Sequence, residues 1–188
     1  MDAEEGENLR RLYLEGWINL QTPDTVMVEQ SEAKDITTRD LLLEQLTAFP
    51  MSHGPGIFGH SLYGFSILGS DEDEERIDKV HQTIWPKRSL ISDRQNLENN
   101  RKARTCFRDT LIVATSIRYG GVALVTNDNG ILKARDRLHK EFNGFDVMSI
   151  SRATEIAFEE VRSARKYAAL EPSDSDYHDL PIWPPESL

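Results

Sequence analysis

The sequence predicts an α/β fold, a three-layer α/β/α arrangement around a mainly parallel sheet. Three observations point there. Apolar residues recur at helical spacing along much of the 188-residue chain. Short β-branched stretches such as 122–125 and 147–150 lie between those runs. Helices and strands alternate, as crossover units feeding a parallel sheet do.

Each element has a local reason. Residues 5–15 carry Leu9, Leu12 and Tyr13 at helical spacing and stop at Gly16, a natural C-terminal cap. Residues 17–20 read as a short strand. Thr22-Pro23-Asp24 starts a helix, with the proline in a first-turn position that needs no amide donor. That helix carries Val26, Val28 and Glu29, and a second one spans about 38–46. Residues 50–70, rich in glycine, serine, proline and aromatics, form a loop with one short element near 62–68. Ser70 caps the next helix, whose acidic first turn, DEDEE, complements the helix dipole and whose core positions are Ile77, Val80 and Ile84. Residues 86–100 are a polar loop. Then come a helix over 103–118, Gly120-Gly121, a strand over 122–126, a turn at 127–130 and a helix over 131–142. NGFD is another turn, 147–150 another strand, and 152–168 a last helix. The tail, 171–188, is acidic and proline-rich and is expected to be disordered or draped on a surface.

Composition narrows the function classes. Hydrophobic residues make up 38% and charged residues 29%, enough for one sizeable core. No apolar stretch approaches the ~20 residues of a membrane span, and no basic leader precedes an apolar segment. A cytoplasmic protein without a membrane partner is expected. The single cysteine, Cys106, excludes an internal disulfide. A net charge of −10 argues against a general nucleic-acid coat protein, which binds by neutralising phosphates. It leaves room for a nucleic-acid enzyme that carries acids, bound metal ions and a local basic patch.

Two aspartates sit oddly in the stretch RDTLIVATSIRYGGVALVTNDNG. Asp109 begins an apolar helix-like run, and Asp128 follows the apolar strand VALVT. In a parallel α/β sheet, ligands bind at the carboxyl ends of strands, and the helix start lies on that same edge. The two carboxylates can therefore meet. Held close, they repel unless a proton or cation lies between them. Oxygen ligands without clustered Cys or His favour Mg²⁺ or Mn²⁺ over zinc.

The stretches RDTLIVAT and GGVALVTNDNGIL together resemble the second half of a PIN domain, the metal-dependent ribonuclease module. GWINLQTPDTVMVEQ resembles the region carrying that family's metal-binding glutamate, here Glu29. The likeness covers roughly residues 5–47 and 101–155. It implies a PIN-like domain over 1–170 with an insertion at about 48–100 that could serve as a lid or partner surface. The family opens with a strand ending in a further acid. The chain has no such strand before Asp2, so Asp2 or an acid upstream would complete the set.

The resemblance implies that Glu29, Asp109 and Asp128 bind one or two Mg²⁺ or Mn²⁺ ions and are the catalytic residues. The ions would activate water for in-line attack on RNA, leaving 5′-phosphate and 3′-hydroxyl ends. Thr126 and Asn127 are candidates to orient the acids or the water. Arg101, Lys102, Arg104 and Arg108 form a basic run that could hold the RNA backbone. RNA is the expected partner, and an inhibitory protein or a second copy of the chain is a further candidate.

Blander readings stand beside these. Asp109 could be a helix-end charge, Asp128 an ordinary turn residue and Glu29 a solvated helix residue. His53 and His60 flank a glycine-rich loop and read as loop residues, and Cys106 as a small buried hydrophobe. The alternatives to a PIN-type endoribonuclease are a catalytically weak PIN-like module that binds RNA or protein, and an unrelated phosphotransfer or small-ligand domain.

Overall fold

Helices cover most of the described chain, and the strands between them are two or three residues long. The computed structural model describes residues 2–32, 35–57 and 67–170. The tail at 171–188 and His60 lie outside the described residues. The chain divides into two compact units, one of Leu20–Val147 and one of Met1–Asn19 with Met148–Leu188.

The terminal unit pairs α1 (Asp2–Leu14) with α9 (Ile150–Leu170). Leu9 and Leu12 are buried, as are Ala153, Ala157, Phe158 and Val161. The Thr154 hydroxyl lies 3.2 Å from the Glu5 carbonyl and 3.0 Å from that of Ile150. α1 ends as its glycine predicts. Gly16 adopts a φ of 81°, a left-handed value that side chains with a Cβ resist. Its N–H donates to Tyr13 (3.0 Å), and the Trp17 N–H donates to Leu12 (2.9 Å). That closure explains why residues 17–20 are not the expected strand: the Trp17 amide is consumed by the cap.

The central unit is mixed α/β. β1 (Thr22–Pro23) runs parallel to β2 (Met51–Ser52), with Thr22 opposite Met51 and Pro23 opposite Ser52. α2 (Asp24–Ser31) begins after Pro23, which takes the capping position rather than the first turn. α3 (Ile36–Leu46) packs against α2. α4 (Asp71–Ile84) starts with a capping box: the Ser70 hydroxyl accepts the Asp73 N–H, and the Asp73 carboxylate accepts the Ser70 N–H. Residues 86–100 are not wholly loop, because α5 (Leu90–Gln95) lies within them. A single buried leucine gives no readable period. What fixes α5 is Asp93, 4% exposed and gripped by two bonds from Arg88.

α6 (Arg101–Arg118) is the central helix, starting at the Asn100 cap. β3 (Ala123–Val125) follows, then α7 (Asn129–Leu132), α8 (Arg135–Glu141) and β4 (Asp146–Met148), which pairs with β3. The single helix expected over 131–142 is therefore broken by a turn at 133–134. The core joins Ile77, Val80 and Ile84 of α4 to Phe107, Leu111 and Val113 of α6, with Leu124, Ile131, Leu138 and Val147 filling the other side. Among the described residues, no helix is long and apolar enough to cross a membrane.

Candidate functional site

α2, α6 and α7 each supply one of the three expected acids. Glu29 lies in the last turn of α2, and Asp109 in the middle of α6. Asp109 therefore does not begin its helix, contrary to the sequence expectation, because helical residues from Arg101 precede it. It is only 7% exposed. Asp128 caps α7: its Oδ1 accepts the N–H groups of Gly130 (2.7 Å) and Ile131 (2.9 Å). That leaves Oδ2 for another partner.

The three acids influence one another's ionisation. Burial pushes the Asp109 carboxyl up to about 7, and the charges of Asp128 and Glu29 push the same way. Glu29 is also raised, first by burial, then by Glu32 and Asp128, with Arg108 opposing. Crowded, partly desolvated carboxylates of this kind bind a proton or a hard cation. The donor set, oxygen only, suits a divalent ion that prefers carboxylates. Among the described residues, no group of three or more His, Cys, Asp or Glu side chains is gathered closely enough to hold a metal as it stands.

The other expected residues separate. The Thr126 hydroxyl accepts the Asp128 N–H at 3.1 Å, a bond within the turn. Asn127 is exposed in the same turn. Arg101 and Lys102 are exposed and Arg104 is half-buried. Arg108 does not join them at the surface. It is 6% exposed and binds Glu32, the residue capping the end of α2, through two bonds, of 2.8 and 2.5 Å. It links α6 to α2 beside Glu29. Asp2 opens α1, and its side chain lies outside the described residues.

Sequence reasoning missed a buried polar chain behind Asp109. His81 of α4 is fully buried, its Nδ1 3.0 Å from the Thr110 hydroxyl and its Nε2 3.4 Å from Asp93. Burial holds its pKa below the ordinary value against the pull of Asp93. The Thr110 hydroxyl donates to the Cys106 carbonyl at 2.8 Å, so a neutral ring fits as the Nδ1–H form donating to that hydroxyl, with Nε2 making no hydrogen bond among the described residues. Cys106, one turn before Asp109, is buried with its thiol pKa raised by desolvation, as a small hydrophobe would be. The only signal in the sequence was a histidine on the core face of α4. Glu32 had none, since it is separated from Arg108 by 76 positions.

A second buried acid, Asp24, is fully enclosed at the start of α2. Among the described residues its Oδ2 finds no hydrogen-bond donor, and it lies 3.9 Å from Nδ1 of His53. No protein-family model matches the chain, and neither a curated protein nor a solved structure is significantly similar to it.

Proposed function

We propose that the chain is a PIN-like, three-layer α/β/α nuclease, a Mg²⁺- or Mn²⁺-dependent endoribonuclease. One observation carries the reading: an aspartate inside a helix is pushed up to about 7 by burial and by two further acids from other elements. Folding alone gains nothing from this arrangement, since each acid makes the others harder to ionise. A bound divalent ion would relieve that repulsion, supply a hydroxide at neutral pH and stabilise charge on the phosphate oxygens.

In this reading Glu29, Asp109 and Asp128 are the ligands. The Asp128 N–H is held by the Thr126 hydroxyl, and with Oδ1 engaged by backbone amides Oδ2 would be the oxygen left to hold an ion. Exposed Arg101 and Lys102 hold the RNA backbone, while Arg108 keeps α2 and α6 in register through Glu32. A second reading, RNA or protein binding without cleavage, is favoured by a different observation: among the described residues, no three acids are gathered closely enough to hold a metal as they stand.

The test is cleavage of a generic single-stranded RNA in Mn²⁺ by wild type, Asp109→Asn and Asp128→Asn. Each substitution is expected to lower the rate by more than about 100-fold, because losing a ligand costs more than losing its support, with helical circular dichroism retained. Equal cleavage by all three proteins ends the reading. RNA retention with no cleavage by wild type moves it to the second.

A further inference from the structure

Trp85 meets both the helix that carries Asp109 and the turn that carries Asp128. It caps the end of α4, and its indole Nε1–H donates to the Cys106 carbonyl at 3.2 Å. Cys106 is one helical turn before Asp109, so the two residues share a face of α6. The far edge of the same ring meets the Asp128 turn. A methyl placed on Gly130 would fall 2.6 Å from the ring's Cη2, 3.4 Å from Cζ3 and 2.9 Å from Oδ1 of Asp128. Gly130 also donates its N–H to that Oδ1. The ring is partly buried and packed on the core that α4 and α6 share.

We infer that Trp85 is a positioning residue that sets the separation of Asp109 and Asp128, its indole bridging the α6 backbone and the Asp128–Gly130 turn. This rests on the metal-centre reading. The geometry explains two otherwise unconnected features. A flat, two-ring side chain spans the gap that one ring would leave open. A glycine at 130 is needed because the ring edge occupies the place of its side chain, not because of its backbone angles. The Asp128 carboxylate is held by the amides of its own turn, and Asp109 is carried by α6. Trp85 touches both supports.

Mn²⁺ binding, followed by electron paramagnetic resonance on the full chain without RNA, tests this directly. Trp85→Phe keeps a ring in the core but loses the N–H and the second ring. It is expected to weaken Mn²⁺ about 10- to 100-fold, the range for removing support behind a ligand, with helical circular dichroism unchanged. Gly130→Ala is expected to weaken it similarly in wild type and by a smaller factor in the Trp85→Phe background, where the clash with the ring edge is gone and only the contact with Oδ1 of Asp128 remains. That non-additivity would not arise from two unrelated structural losses. Wild-type affinity in Trp85→Phe, or equal factors for Gly130→Ala in both backgrounds, overturns the inference. Should Trp85→Phe fail to fold, Gly130→Ala alone decides: unchanged affinity overturns it. Asp109→Asn separates the two levels. If it loses Mn²⁺ while Trp85→Phe does not, only the positioning role fails; if it binds as wild type, the metal centre fails and the positioning role with it.

Discussion

At the scale of single residues, Asp109 carries the sharpest consequence. Its folded pKa of about 7 stands above the ordinary 3.8. Between those values the folded chain holds a proton that the unfolded chain has released, so stability falls as pH rises through that window. Above pH 7 the metal-free protein bears a cost on the order of 4 kcal/mol, the full shift expressed as energy. Asp109→Asn removes this cost. At pH 8 in a chelator, its melting temperature is expected to exceed wild type by roughly 8 to 16 °C, and at pH 4 to equal it. Added Mn²⁺ should reverse the order at pH 8 by stabilising wild type alone. A melting curve of wild type that is flat in pH from 4 to 8 would remove the crowding on which the site depends. Arg108 shows the opposite economy, a cation withdrawn from the surface to pair with Glu32.

Among the elements, α4 and α6 form the frame, and Asp73 ties the start of one to the end of the other. It is 2% exposed and accepts from Ser70 and from Arg76 at 2.5 Å, and it ion-pairs with Arg118 at the last turn of α6. Burial raises its pKa, but the Ser70 backbone, Arg76, the Ser70 hydroxyl and Arg118 outweigh that and bring it to about 2. Its contribution is therefore fully present above the unfolded value near 3.8 and is lost as pH falls through 2. Asp73→Ala is expected to cost about 2 to 4 kcal/mol at pH 7, since it strands two cations and an open helix start. The midpoint of urea unfolding measures it. Neighbouring Glu75, exposed on the same turn, should change stability by less than about 0.5 kcal/mol when made Gln. The glycine ending α6 has the same logic as that ending α1: Gly120 sits at φ 69°, and the Gly121 N–H returns to the Ser116 carbonyl at 3.0 Å.

For the whole molecule, the net charge of −10 opposes any polyanion. RNA retention is then expected to need the divalent ion as well as the exposed cations. Filter binding over a salt series should show weak retention in chelator and stronger retention in Mn²⁺. Replacing Arg101 or Lys102 by Ala should flatten the slope of log affinity against log salt by about one for each phosphate no longer neutralised. Arg108→Ala should leave the slope alone and lower stability instead, because its guanidinium is committed to Glu32. Equal slopes for all three variants and wild type would remove the basic run from the RNA surface.

Local rules determined a good deal without help from distant parts of the chain. Ser70 before an acidic turn, and glycines after apolar runs, fixed helix ends, because capping acts over three to five residues. The turn that holds Asp128, between a strand and a helix, was legible for the same reason, whereas Asp109 lies in the middle of α6 and not at the helix start that the sequence suggested. Tertiary structure alone decided the rest. It made a helix of residues 90–95 by gripping Asp93 from Arg88, and it buried Arg108 against Glu32. It also set Trp85 against Cys106, 21 positions away, and against the turn at Gly130. Such pairings lie beyond the reach of periodicity, since they depend on which helix faces which. The chain states where each acid stands along its own element; only the packing of α2, α4 and α6 decides how closely the acids are forced together.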